Sequence, residues 1–345
     1  MRTPRLPPSS LVVALVAACS SVPPPHAAPT PQPQAAQAST LVPPPEPPPP
    51  PPPKHVDPPK IGIVLGGGGA RGFAHLGFLR ILEQEKIPID LIVGTSVGSL
   101  IGAMYAAQPK AFELELKAFR ISRDDFFDFS LFAATTGPVK GEAIQEFVRR
   151  NVALQEIERF PIRYVAIAAD LNTGERVEFT RGSIVDAVRA SVSIPGVFTP
   201  ARIGNRTLVD GGVVANLAVD VARAHGADIV IASDIGQGVV NYKIGNVVDI
   251  ILQSINIMMA EMSRVQAARA DVVVVPKIGD VGTLDFDQQQ RCMRAGIEAT
   301  EAALPALKAA IAKYYLDRGG VPPPEYAPSI STASPGMSPA AATGR

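Results

Sequence analysis

Apolar positions along this chain fall into short unbroken runs separated by stretches of helical spacing. Ile61-Gly62-Ile63-Val64-Leu65 reads as a buried strand, and the helical pattern after it runs from Arg71 to about Glu85. A second apolar run, 90–93, leads through Gly94 into a helical stretch, 97–107. Further runs predict strands at 163–169, 176–180, 206–209, 228–233 and 272–275. Helical spacing recurs at about 141–151, 183–190, 216–225, 246–269 and 289–314. Strands that alternate with helices predict a largely parallel or mixed sheet, covered by helices on both faces.

Both ends break this pattern, which confines the folded α/β domain to about 60–316 of the 345 residues. Arg2 and Arg5 precede the apolar stretch 11–18, and small residues lead into Cys19, as in a secretion leader over 1–18. Eight apolar residues fall far short of the roughly 20 that a membrane-spanning helix needs. Val16-Ala17-Ala18-Cys19 resembles the lipobox of bacterial lipoproteins. That resemblance implies a lipidated Cys19, a membrane anchor in the cell envelope and, with Ser20 next, the outer membrane. Residues 22–59, including the run Pro47 to Pro53, form a spacer that cannot bury a core. In polyproline geometry, at about 3.1 Å per residue, it reaches on the order of 100 Å. The segment from 317 onward, rich in Pro, Ala, Ser and Thr, reads as a disordered tail.

Composition narrows the chemistry. Thirty-two basic and 32 acidic residues leave no basic footprint for nucleic acid. The two cysteines, Cys19 and Cys292, lie one in the leader and one in the domain, so the domain holds no internal disulfide. Four histidines and two cysteines lack the spacing of a zinc site.

Gly94-Thr95-Ser96-Val97-Gly98 fits G-x-S-x-G and lies between an apolar strand and an apolar helix, the setting of a nucleophile elbow. The helix start favours negative charge developing beside Ser96. Upstream, Gly66-Gly67-Gly68-Gly69-Ala70-Arg71-Gly72 admits two uses. Gly67, Gly69 and Gly72 satisfy the dinucleotide fingerprint G-x-G-x-x-G, with Asp90 at nearly the right distance. Asp90 begins the second strand, however, whereas a ribose-binding acid belongs at its end. Alternatively, successive amides of Gly67, Gly68 and Gly69 form a donor concavity for an oxyanion. Arg71 reads as either a steering group for a lipid phosphate or a solvated residue at a helix start.

The serine needs a base. His225 sits at a helix end just before a strand, on the edge opposite the elbow; His75 lies one turn after the glycine loop with no evident acid to orient it. Asp210 closes a short strand and is followed by Gly211 and Gly212, which permit a tight turn. A carboxylate that is partly desolvated against the serine can act directly as general base.

These elements, in this order, resemble the patatin-like phospholipase family. The likeness extends to Gly137-Pro138-Val139-Lys140-Gly141 and to Ala190-Ser191-Val192-Ser193-Ile194-Pro195-Gly196-Val197-Phe198. It implies a three-layer α/β/α fold, a Ser96–Asp210 dyad, a lipid ester substrate and no metal or other cofactor. One departure is Ala218, where the family usually has proline two residues after Asn216, which should loosen a loop near the site. Two other readings stay open: a non-catalytic envelope lipoprotein that binds lipid or a partner, and a dinucleotide-dependent enzyme. Phe126, Phe127, Phe129, Leu131 and Phe132 suit a buried cluster or a lipid-touching cap over 124–136, and Ile250, Ile251, Ile255, Met258 and Met259 suit core or a subunit interface.

Overall fold

The computed structural model describes residues 52–121, 139–236 and 244–327. The leader with Cys19, most of the spacer and the aromatic stretch 124–136 lie outside them. Strands β1 (Ile61–Leu65), β2 (Leu91–Thr95), β3 (Arg163–Asp170), β4 (Arg176–Phe179), β5 (Ala201–Ile203), β6 (Arg206–Asp210), β7 (Ile229–Ser233) and β8 (Val272–Val274) form one sheet. Its helices are α1 (Phe73–Gln84), α2 (Val97–Ala107), α3 (Ala111–Ala118), α4 (Glu142–Asn151), α5 (Ile184–Ser191), α6 (Val219–Ala224), α7 (Val247–Ala267) and α8 (Gln289–Asp317). Strands β3, β2, β1, β7 and β8 run parallel, while β4, β5 and β6 are antiparallel additions.

Alternation within the strands divides the core into two layers. Ile61, Ile63 and Leu65 face the larger one, with α1, α2, α4, α5 and α8. Val64, Val93, Ile167 and Val230 face the smaller one, with α6. The three-layer α/β/α expectation is met. Among the described residues, no helix is long and apolar enough to cross a membrane.

Register on β3 brings distant segments together. Its first five residues pair with β2, so that Thr95 lies opposite Ile167. Its last three pair with β6, so that Asp210 lies opposite Ala168. Because β4 pairs with 166–169, overlapping both partners, it must occupy the other edge. Strands β2 and β6 therefore share one edge of β3 and meet tip to tip. The residue after Thr95 and the residue closing β6 are thus forced into proximity.

The folded domain is larger than the hydrophobic pattern predicts. Lys54 donates its backbone N–H to the Gly319 carbonyl at 2.9 Å, and a short turn, Pro324–Tyr326, follows. Val56 and Tyr326 pack on the core. As single apolar residues in proline-rich surroundings, they carry no periodic signal. The loop around Ala218 is not loosened: Ala218 is fully buried, and the Leu217 N–H bonds the Gln266 side chain at 2.8 Å. The long helix α7 is neither core nor wholly surface. Met259 is buried and Ile255 half-buried, whereas Ile250 and Met258 are exposed.

Close backbone approach explains the elbow glycines. A Cβ on Gly98 would lie 2.1 Å from the Leu65 carbonyl oxygen, and one on Gly94 2.5 Å from that of Gly98. Gly98→Ala should therefore force α2 away from β1 and destabilise the domain by roughly 1–3 kcal/mol. Thermal unfolding of the purified variant would measure this as a lowered Tm.

Candidate active site

Ser96 stands between β2 and α2 with φ 54° and ψ −127°, in the positive-φ region where residues other than glycine are strained. Several bonds hold it there. Its amide donates to the Ser191 Oγ at 2.9 Å, and that hydroxyl donates to the Ile167 carbonyl at 2.6 Å. The Ser96 carbonyl accepts the Ser99 hydroxyl at 2.6 Å. Thr95 Oγ1 donates to the Ala215 carbonyl at 3.0 Å, tying the elbow to the turn after β6.

The Ser96 hydroxyl donates to Asp210 Oδ2 at 2.5 Å. The other carboxylate oxygen accepts the Gly212 N–H at 2.8 Å, and the Asp210 N–H donates to the Ser193 carbonyl at 2.9 Å. Gly211 sits where a Cβ would be 2.2 Å from the Ile167 carbonyl oxygen. Both side chains are nearly enclosed, Ser96 at 4% exposure and Asp210 at 5%. Burial pushes the Asp210 carboxyl up to about 6, against the opposing hydrogen bonds from Ser96 and Gly212.

Several backbone groups of the glycine loop are anchored. The Gly66 N–H bonds the Ser233 carbonyl at 3.1 Å, and the Gly66 carbonyl accepts from His75 Nε2 at 2.9 Å. The Gly67 N–H is committed to Asn216 Oδ1 at 2.9 Å. This removes Gly67 from the expected donor set. The Gly68 carbonyl accepts Arg71 Nε at 3.0 Å, and the Ala70 N–H bonds the Thr283 carbonyl at 2.8 Å. The amides of Gly68 and Gly69 are left with no partner among the described residues. In a trans peptide the Gly69 N–H points opposite to the Gly68 carbonyl that Arg71 holds. Gly69 adopts φ +59°, and a Cβ there would meet the Thr283 oxygen at 2.1 Å. Gly72 lets the loop close on Val97, whose side chain would lie 2.3 Å from an added Cβ.

Arg71 fits neither role expected of it. It is buried at 5% exposure and acts as a clamp on the loop, its charge disfavoured by desolvation and supported by Asp234. His75 is fully buried, with Nδ1 accepting from the Ser233 hydroxyl at 3.0 Å and Nε2 donating to Gly66. Burial lowers its pKa to about 4, which leaves a neutral ring holding the loop from behind. His225 caps α6 and contacts Glu178 at 3.1 Å, away from Ser96. The Asp90 carboxylate accepts the Ile61 N–H at 2.7 Å, at the amino edge of the sheet where no ribose site lies.

The structure thus gathers Ser96, Asp210, the glycine loop and the supporting Gly94, Gly98, Gly211 and Gly212. It adds Ser191, Asn216 and Thr283. Ser191 and Asn216 were visible in the sequence only as parts of longer motifs, and Thr283 carried no signal at all.

Residues 63–223 match the model of the patatin-like phospholipase family. An uncharacterized NTE family protein of Mycobacterium tuberculosis is 37% identical over 178 residues, covering 50% of this chain and 48% of that protein. Lysophospholipase nte1 of Aspergillus fumigatus is 34% identical over 180 residues, covering 51% of this chain and 12% of its own. The chain therefore spans about half the length of the mycobacterial relative and far less of the fungal one. Among solved structures, VipD from Legionella pneumophila aligns with a TM-score of 0.45 at 15% identity, over 72% of this chain and 67% of that one.

Folded Asp210 holds its proton to a higher pH than an unfolded aspartate, so its contribution to stability declines as pH rises from 3.8 to about 6. Asp210→Asn removes that decline. The variant should be more stable than the parent at pH 8, by on the order of 3 kcal/mol, with the gain vanishing toward pH 4. Denaturant titrations at the two pH values would measure the difference.

Proposed function

We propose that this domain is a serine lipid acyl hydrolase that cleaves carboxylic esters of lipids through Ser96, Asp210 and a covalent acyl-enzyme. The 2.5 Å hydrogen bond from Ser96 to Asp210, beside the amides of Gly68 and Gly69 that have no partner among the described residues, carries the proposal. The match to the patatin-like phospholipase family supports a lipid substrate.

In the first step Asp210 takes the hydroxyl proton as the Ser96 oxygen attacks the ester carbonyl. The Gly68 and Gly69 amides meet the negative charge on the carbonyl oxygen. Donors of this kind, already fixed before reaction, commonly contribute several kcal/mol. Asp210 then gives the proton to the departing alcohol as the ester C–O bond breaks. A water molecule then loses its proton to Asp210 as its oxygen bonds the acyl carbon; the bond from that carbon to the Ser96 oxygen breaks, Asp210 returns the proton to Ser96, and the fatty acid is released. No imidazole is needed, because a carboxyl that burial raises to about 6 can take and return the proton itself.

Ser96→Ala and Asp210→Asn should each reduce lipid ester hydrolysis by at least about a thousandfold, as loss of an acting nucleophile or base does. Undiminished turnover by either folded variant would refute the assignment. In the parent, kcat/KM should rise with pH through about 6 and then level, following ionisation of Asp210.

The leader reading adds a location: a lipid-anchored form in the bacterial envelope, attached through Cys19 with the proline-rich spacer as tether. Cys19→Ser should then abolish incorporation of labelled palmitate and release the chain from the membrane fraction. Palmitate labelling that survives the substitution would remove Cys19 as the anchor.

A further inference from the structure

Ser96 lies where two cavities of different character meet. One runs along α2 past Val97 and Leu100, under Leu284 and Phe286, and no charged residue is among its described lining. An adjoining cavity shares Val97, Leu100 and Phe286 with it and carries the same apolar slot on to Ile121. On the other side of Ser96 is a cavity walled by α7 through Ile255, Asn256 and Met259, and this one contains Asp210. Asp210 does not line the apolar slot. Gly69 lines both.

The four substituents of the tetrahedral carbon must be distributed among these features. One is the Ser96 oxygen. The oxyanion belongs to Gly68 and Gly69, at the junction of the two cavities. The leaving oxygen must take a proton from Asp210, so it lies on the side where Asp210 is exposed to the cavity. Only the slot along α2 remains for the fourth substituent, the hydrocarbon of the acyl group, and its apolar walls suit hydrocarbon.

We infer that the slot between α2 and the segment 283–286 is the acyl-chain subsite, and that the cavity walled by α7 receives the alcohol portion of the ester. This assignment rests on the catalytic reading above. It orders the events spatially. The bond from Ser96 to the acyl carbon forms, the bond to the alcohol oxygen breaks, and the alcohol departs on the α7 side carrying the proton from Asp210. Water enters the space just vacated, while the acyl chain stays in its slot.

Full-length chain carrying Leu284→Trp or Ile255→Trp would test this, since both positions are half-buried and outside the sheet. Two substrate series are needed: p-nitrophenyl esters from butanoate to dodecanoate, and dodecanoate esters of p-nitrophenol, glycerol and glycerophosphocholine. Leu284→Trp should lower the ratio of kcat/KM for dodecanoate to that for butanoate by at least roughly tenfold, a pocket effect of several methylenes. Leu284→Ala, should the tryptophan variant fail to fold, should move the ratio the other way. Ile255→Trp should change the ranking of alcohols at fixed dodecanoate and reduce the share of acyl-enzyme captured by added methanol. Reversed effects, with Leu284 altering alcohol ranking or Ile255 altering chain-length ranking, would overturn the assignment. So would unchanged profiles in folded variants whose turnover still depends on Ser96. Turnover that survives Ser96→Ala would instead strike the catalytic reading itself.

Discussion

The arrangement around Ser96 depends on the eight-residue strand β3, which is long enough to pair with two strands in succession along one edge. The carbonyl of Ile167 is the pivot. It lies opposite the end of β2, accepts the Ser191 hydroxyl that holds the Ser96 amide, and presses against Gly211 just beyond Asp210. A serine and an aspartate 114 positions apart are therefore set by the hydrogen-bond ladder of one strand. Side-chain packing only refines what the ladder imposes. The glycines at the elbow and after Asp210 follow from the same constraint, because β1, α2 and β3 approach too closely there for a Cβ.

Around that pivot, burial serves two ends. It excludes water from Asp210, which raises the affinity of its carboxyl for a proton, and it places the supports of the glycine loop where they carry little net charge. His75 is held neutral and contributes direction alone. Arg71 keeps its charge next to Asp234, and its guanidinium binds a backbone carbonyl inside the protein. With the Gly66, Gly67 and Ala70 amides already bonded, two N–H groups are available, and their direction is set by the loop itself. Such preorganisation spares the cost of turning dipoles during a reaction.

Much of this was legible from the sequence, for identifiable reasons. Buried strands in a parallel sheet are continuous apolar runs, so β1, β2, β3 and β7 stand out. The elbow and Asp-Gly-Gly are local motifs whose residue types follow from backbone geometry. What escaped was short or nonlocal. Helix α3 reads Phe112-Glu113-Leu114-Glu115-Leu116, an alternation with the period of a strand, although Ala111, Leu114 and Ala118 are the apolar residues it buries. Strand β5 has three residues and is recognisable only through Gly204-Asn205, the two-residue turn that joins it to β6. The roles of Arg71 and Gly67 depend on partners far along the chain, and no spacing rule reaches Asn216 or Thr283.

The shared edge also determines where this chain can tolerate a change in length. Side chains alternate along a strand, so one residue added inside β6 would turn the Asp210 carboxylate to the opposite face of the sheet. Added at the Gly204-Asn205 turn or in the connection after β4, the same residue would lengthen a loop and leave the pairing with Ala168 intact. Evolution and protein engineering therefore have freedom in the excursions between β3 and β6, and almost none in the five residues that bring the chain back.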